Sequence, residues 1–282
     1  MELGGSGSVK MEKLLKWGIE NSSGPIPSTL PSHIDPSMVD EILGPSDSDK
    51  MIQCMTVITD KSISLENRIT AFDNFEMLIE NLDNANLMQK MALWAPVISM
   101  LDDEANEMRM YAAWVIGTSV QNNSTAQSDF IQNGGLVKIV QMVKCEKDVG
   151  VLKKIVYALS SLLKNNAAGV KQFVAMDGIE TTLEAMDVDE SVAMRVVFML
   201  HGMLVGDREM AAVMREKMVP CRVAQVLACE NCDAKEKAAE FLVAFNSKVT
   251  MNRDERLTVQ KVLGMARLDG LEKSLVKKLE KI

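Results

Sequence analysis

The chain has 282 residues, of which 47% are hydrophobic and only 4% aromatic, and 22 methionines are present, so a sizeable core must be aliphatic. Its formal net charge of −8 argues against nucleic acid as a partner, because a phosphate backbone requires a clustered basic face. We find no apolar run of the roughly 18 residues that span a bilayer and no secretory signal, so we expect a soluble, cytoplasmic protein with no membrane partner.

The first 46 residues are predicted to lie outside the folded body. Residues 1–10, MELGGSGSVK, have the glycine and serine content of an expression-tag remnant. Residues 11–46 are expected to be a flexible N-terminal module in which Leu14, Leu15 and Trp17 belong to a short amphipathic helix, followed by a linker rich in proline and serine. Either this helix packs on its own domain, or it is a tethered segment that the groove of another protein binds.

The stretch AFDNFEMLIENLDNAN, residues 71–86, predicts an amphipathic helix. Phe72, Phe75 and Leu82 fall on one side at helical spacing, and acidic residues fall on the opposite side. The closing letters DNAN favour caps and turns, because short polar side chains bond to nearby backbone. We therefore expect the helix to end there, with Ala85 in the turn.

This pattern recurs at intervals of roughly forty residues, which is the period of armadillo and HEAT repeats. Gly135 and Gly178 fall in register, each before a further apolar helix, and this favours the three-helix armadillo unit. The predicted fold is all-α, a right-handed armadillo-repeat solenoid of about four repeats over residues 47–245 with C-terminal capping helices at 246–282. One apolar column of the repeat is expected to be buried between stacked units: Phe75, Ile116, Leu159 and Leu200.

Candidate catalytic residues are few. The two histidines of the chain do not assemble a metal cluster or a Ser/His/Asp arrangement. Cys229 and Cys232 form a C-x-x-C without a second pair, so reduced thiols are expected rather than a zinc or redox site. Carboxylates at unit boundaries, such as Asp103, are expected to lie in solvated turns or to favour helix starts. We therefore expect no enzymatic activity, no metal and no cofactor.

An array of helices that lacks catalytic residues is typically a binding surface. The third helix of each unit is expected to line the concave side of the array. Positions i, i+3 and i+7 of a helix share one face. In the later units these positions form a ladder of aromatic and basic residues, which are types that anchor interfaces. The alternative explanation is that the aromatic residues belong to the core. In successive units they are Thr70, Asp73 and Met77; Tyr111, Trp114 and Thr118; Lys154, Tyr157 and Ser161; Arg195, Phe198 and Gly202.

Four motifs carry a resemblance to a known family: MEKLLKWGIENS, DPSMVDEILG, AFDNFEMLIENLDNAN and VIGTSVQNN. They resemble the fungal armadillo-type nucleotide exchange factors of cytosolic 70-kDa heat-shock chaperones, the family that includes human heat-shock-protein-binding exchange factors. The resemblance is specific from Met11 through the first two repeats. Beyond Ala126 it depends on repeat spacing and scattered residues.

The resemblance implies a monomeric co-chaperone that is not an enzyme. Such a protein binds the ATPase domain of the chaperone through the concave armadillo face and promotes release of ADP. The resemblance also implies that the N-terminal module engages the chaperone's peptide-binding domain and aids substrate release. The partner-binding positions that it implies with most weight are Ala85 and Arg195.

The alternative interpretation is a generic armadillo scaffold or peptide-binding adaptor without exchange activity. Importin-type armadillo proteins bind basic peptides through a Trp-x-x-x-Asn ladder on the same face. Every asparagine of that ladder is missing here, which disfavours this class. The corresponding pairs are Asp73/Met77, Trp114/Thr118, Tyr157/Ser161 and Phe198/Gly202.

Overall fold

The computed structural model describes residues 44–207, 209–268 and 270–282. Over these ranges the regular structure is entirely helical. The chain divides into two units, residues 1–50 and 51–282. The predictions for residues 1–10 and for Leu14, Leu15 and Trp17 fall outside the described residues.

Sixteen α-helices are present in the described ranges, and none of them is long and apolar enough to cross a membrane. They are α1 Asp47–Thr59, α2 Leu65–Ile79, α3 Leu82–Leu87, α4 Trp94–Ser99, α5 Asn106–Val120, α6 Ser124–Gln132, α7 Gly135–Cys145, α8 Val149–Leu163, α9 Ala167–Ala175, α10 Gly178–Ala185, α11 Glu190–Gly206, α12 Met210–Glu216, α13 Val219–Val226, α14 Cys232–Lys248, α15 Arg253–Leu263 and α16 Lys273–Leu279.

A three-helix unit repeats along the chain. The long helices α2, α5, α8, α11 and α14 each pack on the next, and two shorter helices connect each long helix to its successor. The predicted apolar column lies between these stacked helices, since Phe75, Ile116, Leu159 and Leu200 are all 0% exposed. The prediction of an all-α armadillo solenoid is confirmed.

Asparagine side chains set the breaks between the long helices and the short ones. Asn81, Asn123 and Asn166 each accept a hydrogen bond from a backbone N–H in the first turn of α3, α6 and α9. Such caps satisfy N–H groups that have no partner inside the helix. Asn122 and Asn165, which precede two of the caps, adopt left-handed backbone with φ of 52° and 56°, a conformation that asparagine tolerates.

The position of the first break differs from the prediction. The helix ends at Ile79, and the DNAN segment belongs to α3, which Asn81 caps. Leu82 is therefore 56% exposed instead of lying on the buried stripe of α2. Ala85 is helical and only 2% exposed, so its placement in an open turn was wrong.

The corner between the two short helices depends on matched side-chain sizes. A β-carbon at Gly135 would lie 2.2 Å from the ring of Phe130, and one at Gly178 would lie 2.3 Å from the ring of Phe173. Where the aromatic ring is replaced by Met214, the glycine position holds Val219. Glycine is thus required where a phenylalanine fills the corner, which explains the two glycines in register.

Ion pairs join neighbouring repeats. Arg68 bonds to Asp103 over 2.7 Å, and Arg109 bonds to Glu146 over 2.7 Å; in the first pair both side chains are almost fully buried. The expectation that Asp103 lies in a solvated turn was wrong, because Arg68 and the backbone N–H of Ala105 hold its carboxylate inside the protein.

The C-terminal end is helical, and the last long helix ends later than predicted. Helix α14 continues to Lys248, past the predicted end of the repeats at residue 245. Helix α15, Arg253–Leu263, and helix α16, Lys273–Leu279, lie within the region predicted to hold the capping helices. The pair of Arg215 with Glu255, 2.9 Å, joins α12 to this closing helix, so the cap is tied to the last repeat.

Candidate functional site

The predicted ladder lies along the long helices of successive repeats. We use the term "ladder" for Asp73, Tyr111, Trp114, Lys154, Tyr157, Arg195 and Phe198. The first residue and the last two are exposed, and the other four are half-buried. Within the ladder, Lys154 contacts the Trp114 ring of the preceding repeat, whereas Ala85 is buried and does not belong to this surface.

Aromatic rings begin the ladder. Tyr111 stacks on Phe72 with ring centroids 6.0 Å apart and on Trp114 with centroids 5.6 Å apart. Phe72 is fully buried, so the stack connects the core to the surface. Burial, the charge of Asp73 and a hydrogen bond to the Asp73 carboxylate raise the pKa of Tyr111.

Lys154 joins the second repeat to the third. Its Nζ lies 3.4 Å from the centroid of the Trp114 ring and 6.0 Å from that of Tyr157. Burial and then the nearby charge of Arg195 lower the pKa of Lys154, against a smaller opposing effect of Glu76. A cation over an aromatic face is attracted by the ring quadrupole, and this attraction holds the Lys154 ammonium against the Trp114 ring.

Gly117 and Glu76 also support the ladder, and neither was predicted from the sequence to do so. Tyr157 lies against Gly117, where a β-carbon would approach its ring to 2.3 Å. Glu76 is buried and accepts a hydrogen bond of 2.8 Å from the Thr118 hydroxyl. A glycine inside a helix was the available signal for Gly117, because glycine weakens a helix unless a close approach requires it.

The ladder ends on α11 with unpaired groups. Arg195 is exposed and has no ion pair among the described residues, and Phe198 is 59% exposed. In the next long helix the equivalent surface carries Lys237 and Glu240, which pair with each other at 2.9 Å. At this end of the ladder the exposed groups are therefore Arg195 and Phe198 of α11.

Comparison with known proteins places the chain in a family. A family profile described as "Nucleotide exchange factor Fes1" matches residues 11–88, and one described as "SIL1/FES1/HPBP1 C-terminal domain" matches residues 84–220. The Candida glabrata protein named "Hsp70 nucleotide exchange factor FES1" is 33% identical over 264 residues, which are 89% of this chain and 91% of that protein. The chain belongs to the Fes1 family.

Two other relatives of the Fes1 family also match this chain. The Schizosaccharomyces pombe protein of the same name is 32% identical over 265 residues, covering 88% of this chain and 91% of the relative. The Kluyveromyces lactis protein is 37% identical over 202 residues, covering 69% and 70%. Every ladder residue lies between positions 11 and 220, the region that the two Fes1-family profiles match.

Solved structures show the armadillo fold of this Fes1-family chain. A designed armadillo repeat protein in complex with the peptide (KR)4 superposes with a TM-score of 0.64 at 14% identity, covering 82% of this chain and 96% of the designed chain. An engineered protein superposes with a TM-score of 0.67 at 15% identity, covering 82% and 96%. At these identities the likeness concerns the fold alone.

The C-x-x-C segment has no role at the ladder. The Cys229 thiol is half-buried and donates to the carbonyl of Asn231, and Cys232 is exposed at the start of α14. Burial and the charge of Glu190 raise the pKa of Cys229, which disfavours the reactive thiolate. Within the described ranges no three His, Cys, Asp or Glu side chains are grouped to hold a metal ion.

Proposed function

We propose that the protein is a non-enzymatic co-chaperone that binds the ATPase domain of a cytosolic 70-kDa heat-shock chaperone and promotes release of ADP. The observation that carries this proposal is the near full-length match to relatives named Hsp70 nucleotide exchange factor. The proposed compartment is the cytoplasm and the proposed state is a monomer.

The ladder is the proposed binding surface, on the concave side that stacked repeats create. Exposed aromatic and arginine side chains are those that contribute most to interfaces. Trp114 and Tyr157 are already held by Lys154 and Gly117. A surface ordered before binding loses less conformational entropy on association, so more of the contact energy contributes to affinity.

Exchange requires differential affinity. The protein must bind the open ATPase domain more tightly than the closed, nucleotide-bound one, because a ligand shifts an equilibrium only by the difference in its two affinities. Coupling is reciprocal, so the factor by which this protein weakens ADP binding equals the factor by which ADP weakens the complex. Typical couplings of about 1–3 kcal/mol correspond to roughly 5–150-fold.

Residues 11–46 are proposed to aid substrate release by engaging the chaperone's peptide-binding domain. The apolar Leu14, Leu15 and Trp17, followed by a linker rich in proline and serine, support this proposal. Deletion of residues 11–44 should slow the displacement of tightly bound peptide and leave ADP release near normal. Equal loss of both activities would show that the two functions are not separable.

Stopped-flow release of fluorescent ADP from a cytosolic 70-kDa chaperone tests the exchange function. We expect the protein to accelerate release, with a rate that saturates as its concentration rises, and excess ATP to dissociate the complex. Phe198→Ala should reduce the acceleration, whereas Leu257→Ala, which removes a similarly exposed apolar side chain from α15, should not. An unchanged ADP release rate with the parent protein would rule out exchange activity and favour the adaptor interpretation.

A further inference from the structure

A cleft of about 720 Å³ lies beside the ladder, between the C-terminal halves of α8 and α11. Its volume is within the range of roughly 300–1,000 Å³ that ligand-binding sites occupy. Its apolar lining includes Tyr157, Phe198 and Val205, and the last two are each 59% exposed. Large apolar side chains grouped on a surface in this way mark interaction sites.

Gly202 keeps the cleft open. A β-carbon at this position would meet no heavy atom within 4 Å, so no packing contact in the described structure requires glycine in the interior of α11. Glycine destabilises a helix interior relative to alanine. The contrast is Gly117, where the Tyr157 ring occupies the space of a side chain. The empty space at Gly202 is therefore available to an atom group from outside the protein.

Positive charge borders one end of the cleft. Lys154 and Arg195 precede Tyr157 and Phe198 by one helical turn, and neither cation forms a salt bridge within the described part of the chain. Their mutual repulsion contributes to the lowered pKa of Lys154. A carboxylate placed between them would relieve this repulsion, whereas a basic group would increase it.

We infer that the cleft receives an apolar side chain of the chaperone's ATPase domain, presented next to a carboxylate that pairs with Arg195. The inference rests on the proposed function and adds the chemistry of the contact. The charged residues of the lining itself, Lys164 and Asp207, are opposite in sign, so the two cations beside Tyr157 and Phe198 favour a carboxylate over a basic peptide. The exposed helix faces that line the cleft suit a protein surface. The apolar group fills the space over Gly202 while the carboxylate meets the cations one turn away.

Filling the cleft from within is the direct test. The β-carbon of Gly202→Leu meets no heavy atom within 4 Å and the rest of the side chain extends into the cleft, so the full-length variant should keep its melting temperature. Isothermal titration with the isolated ATPase domain should show at least tenfold weaker binding for Gly202→Leu and a smaller loss for Gly202→Ala. Gly264→Leu is the matched control, because Gly264 has helical backbone and ordinary spacing outside the cleft, and it should bind like the parent.

A second pair of variants covers the case in which Gly202→Leu fails to fold. Val205→Asp places a charge at the apolar wall and should also weaken binding at least tenfold, whereas Val137→Asp, at a 48% exposed valine of α7, should not. Raising the salt concentration should weaken the parent complex more than the complex of Arg195→Gln, since the proposed ion pair is screened by salt.

The outcomes separate the inference from the proposed function. If the parent accelerates ADP release and the folded Gly202→Leu and Val205→Asp variants bind with the parent Kd, the exchange function stands and the cleft inference is overturned. A labelled Lys/Arg peptide that binds the parent and not Gly202→Leu would overturn it in favour of a basic occupant. A parent protein that does not bind the ATPase domain at all contradicts both.

Discussion

The ammonium group of Lys154 lies 3.4 Å from the ring centroid of Trp114, so a lysine of one repeat fixes the indole of the repeat before it. Lys154→Gln removes the cation and frees the ring. We expect the complex with the ATPase domain to weaken about fivefold, which corresponds to roughly 1 kcal/mol. Titration calorimetry measures the change. Lys153→Gln alters the adjacent lysine and should have no effect; equal losses in both variants would mean that net charge alone matters.

Substitution of Arg195 should weaken binding without changing stability. It is exposed and has no ion pair among the described residues, so Arg195→Ala should change the free energy of unfolding by no more than about 0.5 kcal/mol. If it is a central anchor, the same change weakens the complex by about 2 kcal/mol or more. Lys171→Ala on α9 removes another exposed cation and serves as the control. Parent-like affinity for Arg195→Ala would exclude the ladder as the binding surface.

Ala85→Arg should act on stability, because Ala85 is 2% exposed inside α3. Inserting a long charged side chain into a packed site should lower the free energy of unfolding by at least about 1–3 kcal/mol. Leu82→Arg, at a 56% exposed position of the same helix, should be within about 0.5 kcal/mol of the parent. Urea unfolding compares the two variants. Because Ala85→Arg is expected to destabilise the protein, a loss of binding by this variant does not by itself measure a direct contact.

Leu159→Ala should destabilise the stacked repeats. Leu159 is 0% exposed, so truncation removes apolar contacts and leaves a cavity, at a cost of about 2–5 kcal/mol. Leu257→Ala removes the same atoms from a 63% exposed position and should cost little. Thermal or urea unfolding gives both values. Equal melting temperatures for the two variants would show that the assigned helix phase is incorrect.

Acid should weaken the link between Arg68 and Asp103. Burial alone would raise the pKa of Asp103, but hydrogen bonds from Arg68 and from the backbone N–H of Ala105 outweigh it and hold the pKa below the ordinary 3.8. A lowered carboxylate pKa contributes stability that is present above the unfolded value and is lost as the pH falls through the folded value. Urea unfolding between pH 6 and pH 2.5 should therefore show a smaller acid-induced loss for Asp103→Asn than for the parent.

Removing Arg68 tests the same pair at neutral pH. Arg68→Met leaves the Asp103 carboxylate buried without its partner, and the expected cost is about 3–5 kcal/mol. Lys61→Met breaks the exposed pair with Glu104, whose atoms are 4.0 Å apart, and should cost at most about 1 kcal/mol. Similar losses in both variants would mean that burial of the pair is unimportant.

The sequence by itself determined the repeat and its core. The recurrence of Phe75, Ile116, Leu159 and Leu200 gave the helix phase, and all four are buried. Within each helix, the apolar spacing and the capping residues depend on positions a few residues apart in the chain, so the sequence records them directly. The family resemblance likewise depended on short contiguous motifs, above all AFDNFEMLIENLDNAN in the first repeat.

Tertiary structure decided which of these residues are available to a partner. The burial of Ala85 and Asp103, the cation of Lys154 on the Trp114 ring and the space over Gly202 all depend on neighbours from other helices. The contacting residues of adjacent repeats are roughly forty positions apart in the chain, and no local pattern records how two such helices face each other. Only their packing determines whether a side chain at a given helical position is covered, paired or open to solvent.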